Sequence, residues 1–93
     1  MARFHLTPLA LSSMQLIGEY TESQWGIAQR NKYLKELDKA FHELADSPKL
    51  GKLRSEIKQG MRSYQQGKHV IFYMVEPEQI VVLNILHANM LPE

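Results

Sequence analysis

The 93-residue chain contains no cysteine. That excludes disulfides and thiolate metal sites and fits a reducing, cytoplasmic compartment. No apolar run approaches the ~20 residues of a membrane span, and the opening Met1-Ala-Arg-Phe-His-Leu-Thr-Pro lacks the apolar centre of a signal peptide. The serines lack a nucleophile elbow, and no glycine-rich phosphate loop occurs. The four histidines, His5, His42, His69 and His87, form neither an HxxxH nor an HExxH pattern, so neither a metal site nor a cofactor is expected. Cations are missing from two long stretches, Phe4–Gln29 and His69–Glu93. A protein that worked through phosphate contacts would carry more positive charge than a net +1, so nucleic acid is not expected as the main partner.

The cations that are present concentrate in one place. Lys49, Lys52, Arg54, Lys58, Arg62 and Lys68 face a single acid, Glu56. The lysines read as protection of an exposed sheet edge. Arg54 and Arg62 stay open as contacts for an acidic partner. Composition is that of a globular protein, 44% hydrophobic and 23% charged, and residues 1–93 are read as one domain. A chain this short buries a modest share of its surface, so a partner is expected to add stability.

The stretch Ser55–His87 organises the rest. Gln66-Gly67 and Glu76-Pro77-Glu78 are turn signals, and the runs between them are rich in Val, Ile, Tyr and Phe. They predict an antiparallel meander of at least three strands. His69–Val75 is apolar on both alternating faces, which predicts a central strand covered twice. Upstream, Arg3–Leu6 reads as a short strand. Thr7-Pro8 then opens a helix by capping and by proline at the first helical position. Ala10, Met14, Ile17 and Tyr20 form its apolar stripe, and Gly18 suggests close approach of another helix. Trp25-Gly26 breaks the helical pattern. A second helix is predicted over residues 27–45, with Arg30, Tyr33, Leu37, Phe41 and Leu44 on one stripe, and Ser47-Pro48 stops it. Leu53–Ile57 reads as a further short strand. The fold class is therefore α+β: an N-terminal strand and a two-helix hairpin packed on a small antiparallel sheet.

Arg62, Tyr64, His69, Tyr73 and His87 all fall on the meander. Converging on one face, they could hold a phosphate and move protons, as a small ribonuclease requires. Taken singly, each reads more simply as packing or as a satisfied strand-end histidine, so no catalytic residue is assigned.

These residues also form a pattern. F-x-L-T-P-x-A, I-x-x-Y-T-x-x-x-W-G-x-x-Q, L-A-x-S-P-x-x-G, E-I-x-x-G-x-R-S-Y-x-x-G-x-H-V-I-F-Y and I-L-H-x-x-M follow in order from Phe4 to Met90. Together they resemble the ParE family of bacterial toxins, in the RelE/ParE superfamily of toxin–antitoxin systems. The resemblance implies a helical hairpin on a small antiparallel sheet. It implies inhibition or poisoning of DNA gyrase rather than catalysis. It also implies neutralisation by a cognate antitoxin whose flexible segment, here expected to be acidic, wraps the toxin in a hetero-oligomer. The RelE branch of the same fold cuts ribosome-bound mRNA and is the alternative. A degenerate module that binds antitoxin but has lost its target is a further one. Asn84 and Asn89 stand where relatives often carry a basic residue, which counts against ribonuclease chemistry. Trp25 and Gly26 match architectural positions, and a buried Trp25 is expected at the helix break. Arg54, Arg62, Tyr64, His69, Tyr73, His87, Met90 and Leu91 are the candidate contacts to target or antitoxin.

Overall fold

The computed structural model describes residues 3–90. Strand β1 is Phe4–Leu6, helix α1 Pro8–Trp25 and helix α2 Ile27–Asp46. Thr7 starts α1 as its sequence suggests: the side-chain oxygen accepts from Ala10 N at 3.1 Å and Pro8 takes the first helical position. The same hydroxyl donates to Leu83 O at 2.8 Å, tying the helix start to the far end of the chain. Gly26 ends α1 at φ 92°, a conformation that excludes most side chains. Its N–H donates to Glu22 O at 2.8 Å and its carbonyl accepts from Arg30 N at 3.1 Å, so this one residue serves both helices.

Gly18 is buried where α1 faces α2. A Cβ there would lie 3.2 Å from Leu34 Cδ1 and 3.8 Å from the Arg30 stem. The Arg30 guanidinium is held by Glu22 and by Asn31 Oδ1. Ala10, Ile17 and Thr21 carry the buried face of α1. Tyr20, expected on that stripe, is 64% exposed because Thr21 takes the inward position in its turn. The stripe of α2 buries Leu37, Ala40, Phe41 and Leu44.

After a 3₁₀ turn at Pro48–Leu50 come β2 (Lys52–Leu53), β3 (Arg62–Gln66), β4 (His69–Val75) and β5 (Ile80–His87). The five strands lie in the order β1-β5-β4-β3-β2. The meander β3–β4–β5 is antiparallel, as expected, and β1 adds one parallel pairing on β5. Leu53–Ile57 is not one strand. The chain leaves β2 and coils, with Ile57 N and Lys58 N both donating to Arg54 O, and Arg54 N closes the excursion on Met61 O.

Strand β4 is central and buried on both faces. Ile71 and Tyr73 join the core formed with the helices. Val70 and Phe72, on the opposite face, are also buried within this chain. On that face the 54–60 excursion folds back: Arg54 reaches Ser63 Oγ at 3.3 Å, and Gly60 lies against Met74. A bulge between β4 and β5 leaves Leu83 unpaired, with Phe72 opposite Asn84 and Tyr73 opposite Val82. One consequence is that Ile80, Val82 and Ile85 all reach the core although their spacing breaks strict alternation. Leu83, which parity alone would group with Ile85 and His87, instead supplies the carbonyl that Thr7 holds.

Candidate functional site

Register puts Arg62, Tyr64, His69, Tyr73 and His87 on the helix-facing side of the sheet. Arg62 pairs with Tyr73, Tyr64 with Ile71, and His69 with His87. They do not converge. Tyr73 and His69 are four residues apart on β4, about 13 Å along the strand.

At one end, Tyr73 is fully buried. Its hydroxyl donates to Pro48 O at 2.7 Å and accepts from Gly51 N at 2.9 Å. Arg62 Nη1 donates to Gly51 O at 2.7 Å and reaches Lys49 O at 3.5 Å. Burial raises the Tyr73 pKa above its ordinary value, with the Gly51 N–H and the Arg62 charge opposing. This pair fixes the chain leaving α2 onto the sheet. Arg54 is also engaged, with Glu56 at 2.6 Å and with Ser63; its hydrogen bond holds the Glu56 carboxyl below the usual range. Both arginines left open by the sequence thus have partners within the chain.

At the other end, His69 and His87 meet edge to face with ring centroids 5.2 Å apart. Tyr33, on α2, lies over His69: its hydroxyl donates to Gln66 O at 3.2 Å and shares a hydrogen bond with His69 Nδ1 at 2.5 Å. Burial, and then the His87 charge, push His69 below the ordinary imidazole value. Burial raises Tyr33. His87 Nδ1 accepts from Asn89 N at 3.1 Å. Gly67, at φ 59°, makes room for this arrangement, since a Cβ there would sit 2.9 Å from Tyr33 Cε1. The three side chains border a cleft of about 580 Å³ between the helix break and the β3–β4 turn, which Tyr20, Trp25 and Lys68 also line. Tyr33 was legible as a hydroxyl at one end of an apolar helix stripe, a position that calls for a polar partner; its contact with His69, 36 residues away, was not.

Trp25 is not buried. It is 70% exposed, because the buried face of α1 runs through Ala10, Ile17 and Thr21 and the helix ends with Trp25 beyond the core. Tyr64 is half-buried against the core. Met90 ends a short 3₁₀ turn that begins at Ala88, and Leu91 lies outside the described residues.

A third feature is the outer edge of β2, which no strand among the described residues covers. Leu50, Leu53 and Ile57 are exposed, and Leu50 also lines an apolar hollow with Val75 at the end of β4. Lys49, Lys52 and Lys58, interleaved with them in sequence, are exposed as well. Apolar groups among cations beside an unpaired strand edge suit an acidic amphipathic segment.

A helical hairpin on a sheet of this kind also occurs in solved toxin–antitoxin systems. The fold superposes on a chain of the chromosomal ParDE system from P. aeruginosa with a TM-score of 0.78, at 17% identity, covering 94% of this chain and 96% of that one. It also superposes on the RelBE2 toxin–antitoxin complex from Mycobacterium tuberculosis, with a TM-score of 0.69, 21% identity and coverage of 92% and 96%. In sequence the likeness is narrower. The family model described as the ParE toxin of the type II toxin–antitoxin system parDE matches residues 4–92. Toxin ParE1 of M. tuberculosis (strain H37Rv) is 34% identical over 90 residues, spanning 96% of this chain and 92% of the relative. Toxin ParE1 of Caulobacter vibrioides is 29% identical over 90 residues, spanning 97% and 93%. The chain belongs to the ParE toxin family of type II toxin–antitoxin systems.

Proposed function

We propose that this toxin acts in the bacterial cytoplasm by binding and inhibiting DNA gyrase, without catalysing a reaction, and that an antitoxin neutralises it by wrapping an acidic segment over its β2 edge. One observation carries the non-catalytic reading. Arg62 on β3 and Arg54 just after β2 are both engaged within the chain, Arg62 with Gly51 O and Arg54 with Glu56 and Ser63. A ribonuclease draws much of its rate from positive charge preorganised around the reacting phosphate. The His69–His87 pair lies about 13 Å along β4 from the Arg62–Tyr73 end, and no Lys or Arg follows Lys68 in the sequence. The gyrase target rests on family membership. The antitoxin reading rests on the solved toxin–antitoxin relatives and on the exposed apolar and cationic groups at β2.

One preparation tested in two assays addresses this. The purified chain should block supercoiling of relaxed plasmid by gyrase and leave mRNA intact in a translating ribosome extract. Adding its antitoxin should restore supercoiling and raise the toxin's melting temperature, because folding of a segment onto β2 stabilises the native state. Codon-periodic mRNA cuts with unimpaired supercoiling would favour the ribonuclease alternative. Silence in both assays with antitoxin binding retained would favour a module without a target.

A further inference from the structure

Five aromatic rings surround one opening. Tyr20 and Trp25 on α1, Tyr33 on α2, and His69 and His87 on the sheet line the cleft of about 580 Å³, a size that accepts a small organic group. Tyr20 is 64% exposed and Trp25 70%, so both leave most of their rings in water at the mouth while His69 and Tyr33 form a half-buried floor. Exposed aromatic residues around a concavity are the groups that most often anchor a protein interface. Among the described residues, Lys68 is the one Lys or Arg that lines the cleft, and no carboxylate does.

We propose that this cleft is an anchor pocket for a protein partner, seating an aromatic side chain carried next to a carboxylate. The ring packs among Tyr20, Trp25 and His87, and the carboxylate faces Lys68. The proposal rests on the reading that the chain works by binding proteins, and it concerns a surface at the opposite end of the sheet face from Gly51 and the β2 edge. A nucleotide would offer a planar ring and an anion too, but strand-binding proteins track the backbone with a groove of cations. Here Lys68 is the single Lys or Arg lining the cleft, and Arg30 on α2 is held by Glu22. One cation suits one carboxylate.

The chain carries its own reporter, because Trp25 is its sole tryptophan. Acetyl-Phe-Asp-amide, which has no indole, is titrated against the full chain while Trp25 emission and the histidine ring protons are followed by fluorescence and NMR. Saturable changes at Trp25, His69 and His87, with His5 and His42 unmoved, are expected. Acetyl-Phe-Lys-amide should bind more weakly. Lys68→Gln should weaken the aspartyl probe about 2–5-fold, the range of an exposed ion pair, and Lys68→Glu should invert the preference between the two probes. Tyr20→Ala, at an exposed position, should weaken both probes about 3–10-fold. Equal binding of the two dipeptides, no saturable change with either, or tighter binding of uridine 5′-monophosphate would overturn the proposal. Neither gyrase nor antitoxin is in the tube, so a failed supercoiling assay and a failed titration are separate results.

Discussion

Tyr73→Phe tests the assignment of one candidate contact residue to the architecture. The phenol is fully buried, and its hydroxyl joins Pro48 O at 2.7 Å to Gly51 N at 2.9 Å. Removing it deletes two hydrogen bonds worth about 0.5–1.5 kcal/mol each, and leaves a buried Gly51 N–H with no partner. Pro48 is half-buried and Gly51 buried, so we expect a loss of about 2 kcal/mol. A domain of this size has roughly 5–14 kcal/mol in total, and the melting temperature should fall by about 8–16 °C. Urea unfolding is the assay: the midpoint should drop at an unchanged slope. A loss under about 0.5 kcal/mol, the range of an ordinary surface change, would refute the reasoning. If that result came with lost toxicity, Tyr73 would be a contact residue instead.

Gly51→Ala should act on the same joint, since a Cβ there would lie 2.7 Å from Tyr73 Cε1 and 2.9 Å from Ser63 O. Circular dichroism melts should show a loss of about 1–3 kcal/mol. Trp25→Ala should leave the chain folded and cost less than about 1 kcal/mol, because most of its ring is already in water; a collapse of the far-UV signal would contradict this. His69 titrates below the ordinary imidazole value in the folded chain because of burial and His87. The unfolded chain therefore binds the proton first as pH falls. Stability should be complete above about pH 6.5, decline below it, and level off once the folded chain also protonates. His69→Gln should flatten that decline in urea midpoints measured across pH.

Local signals in the sequence were read well where one residue decides the backbone. Thr7-Pro8 opened α1, Gly26 separated the helices, Ser47-Pro48 stopped α2, and Gly67 marked the β3–β4 turn. The doubly apolar run His69–Val75 identified the central strand. What failed needed information from distant chain. Trp25 at the helix break reads as a buried aromatic anchor, yet burial depends on where the helix ends relative to the core. The excursion after Leu53 looked like a strand from its apolar residues, but hydrogen bonds to Arg54 O made it coil. Which strands' residues share a face depends on register, which the sequence leaves open, and parity within β5 fails at the bulge at Leu83, which shifts the count by one. The candidate site was legible as residue types and not as geometry. Arg62 finds Gly51 and Tyr33 finds His69 only when the helices lie on the sheet.

Inhibition by occupancy of a protein, and not by turnover, is the proposed mode of action of this ParE toxin. Titrating the purified chain into a fixed amount of gyrase, with supercoiling of relaxed plasmid as the readout, tests it most directly. Inhibition should saturate with toxin bound to gyrase, keep its extent with longer incubation, and survive His87→Ala at comparable potency. Undiminished supercoiling at saturating toxin, alongside cleavage of ribosome-bound mRNA at substoichiometric toxin that His87→Ala slows by about 10²–10⁴-fold, would contradict it.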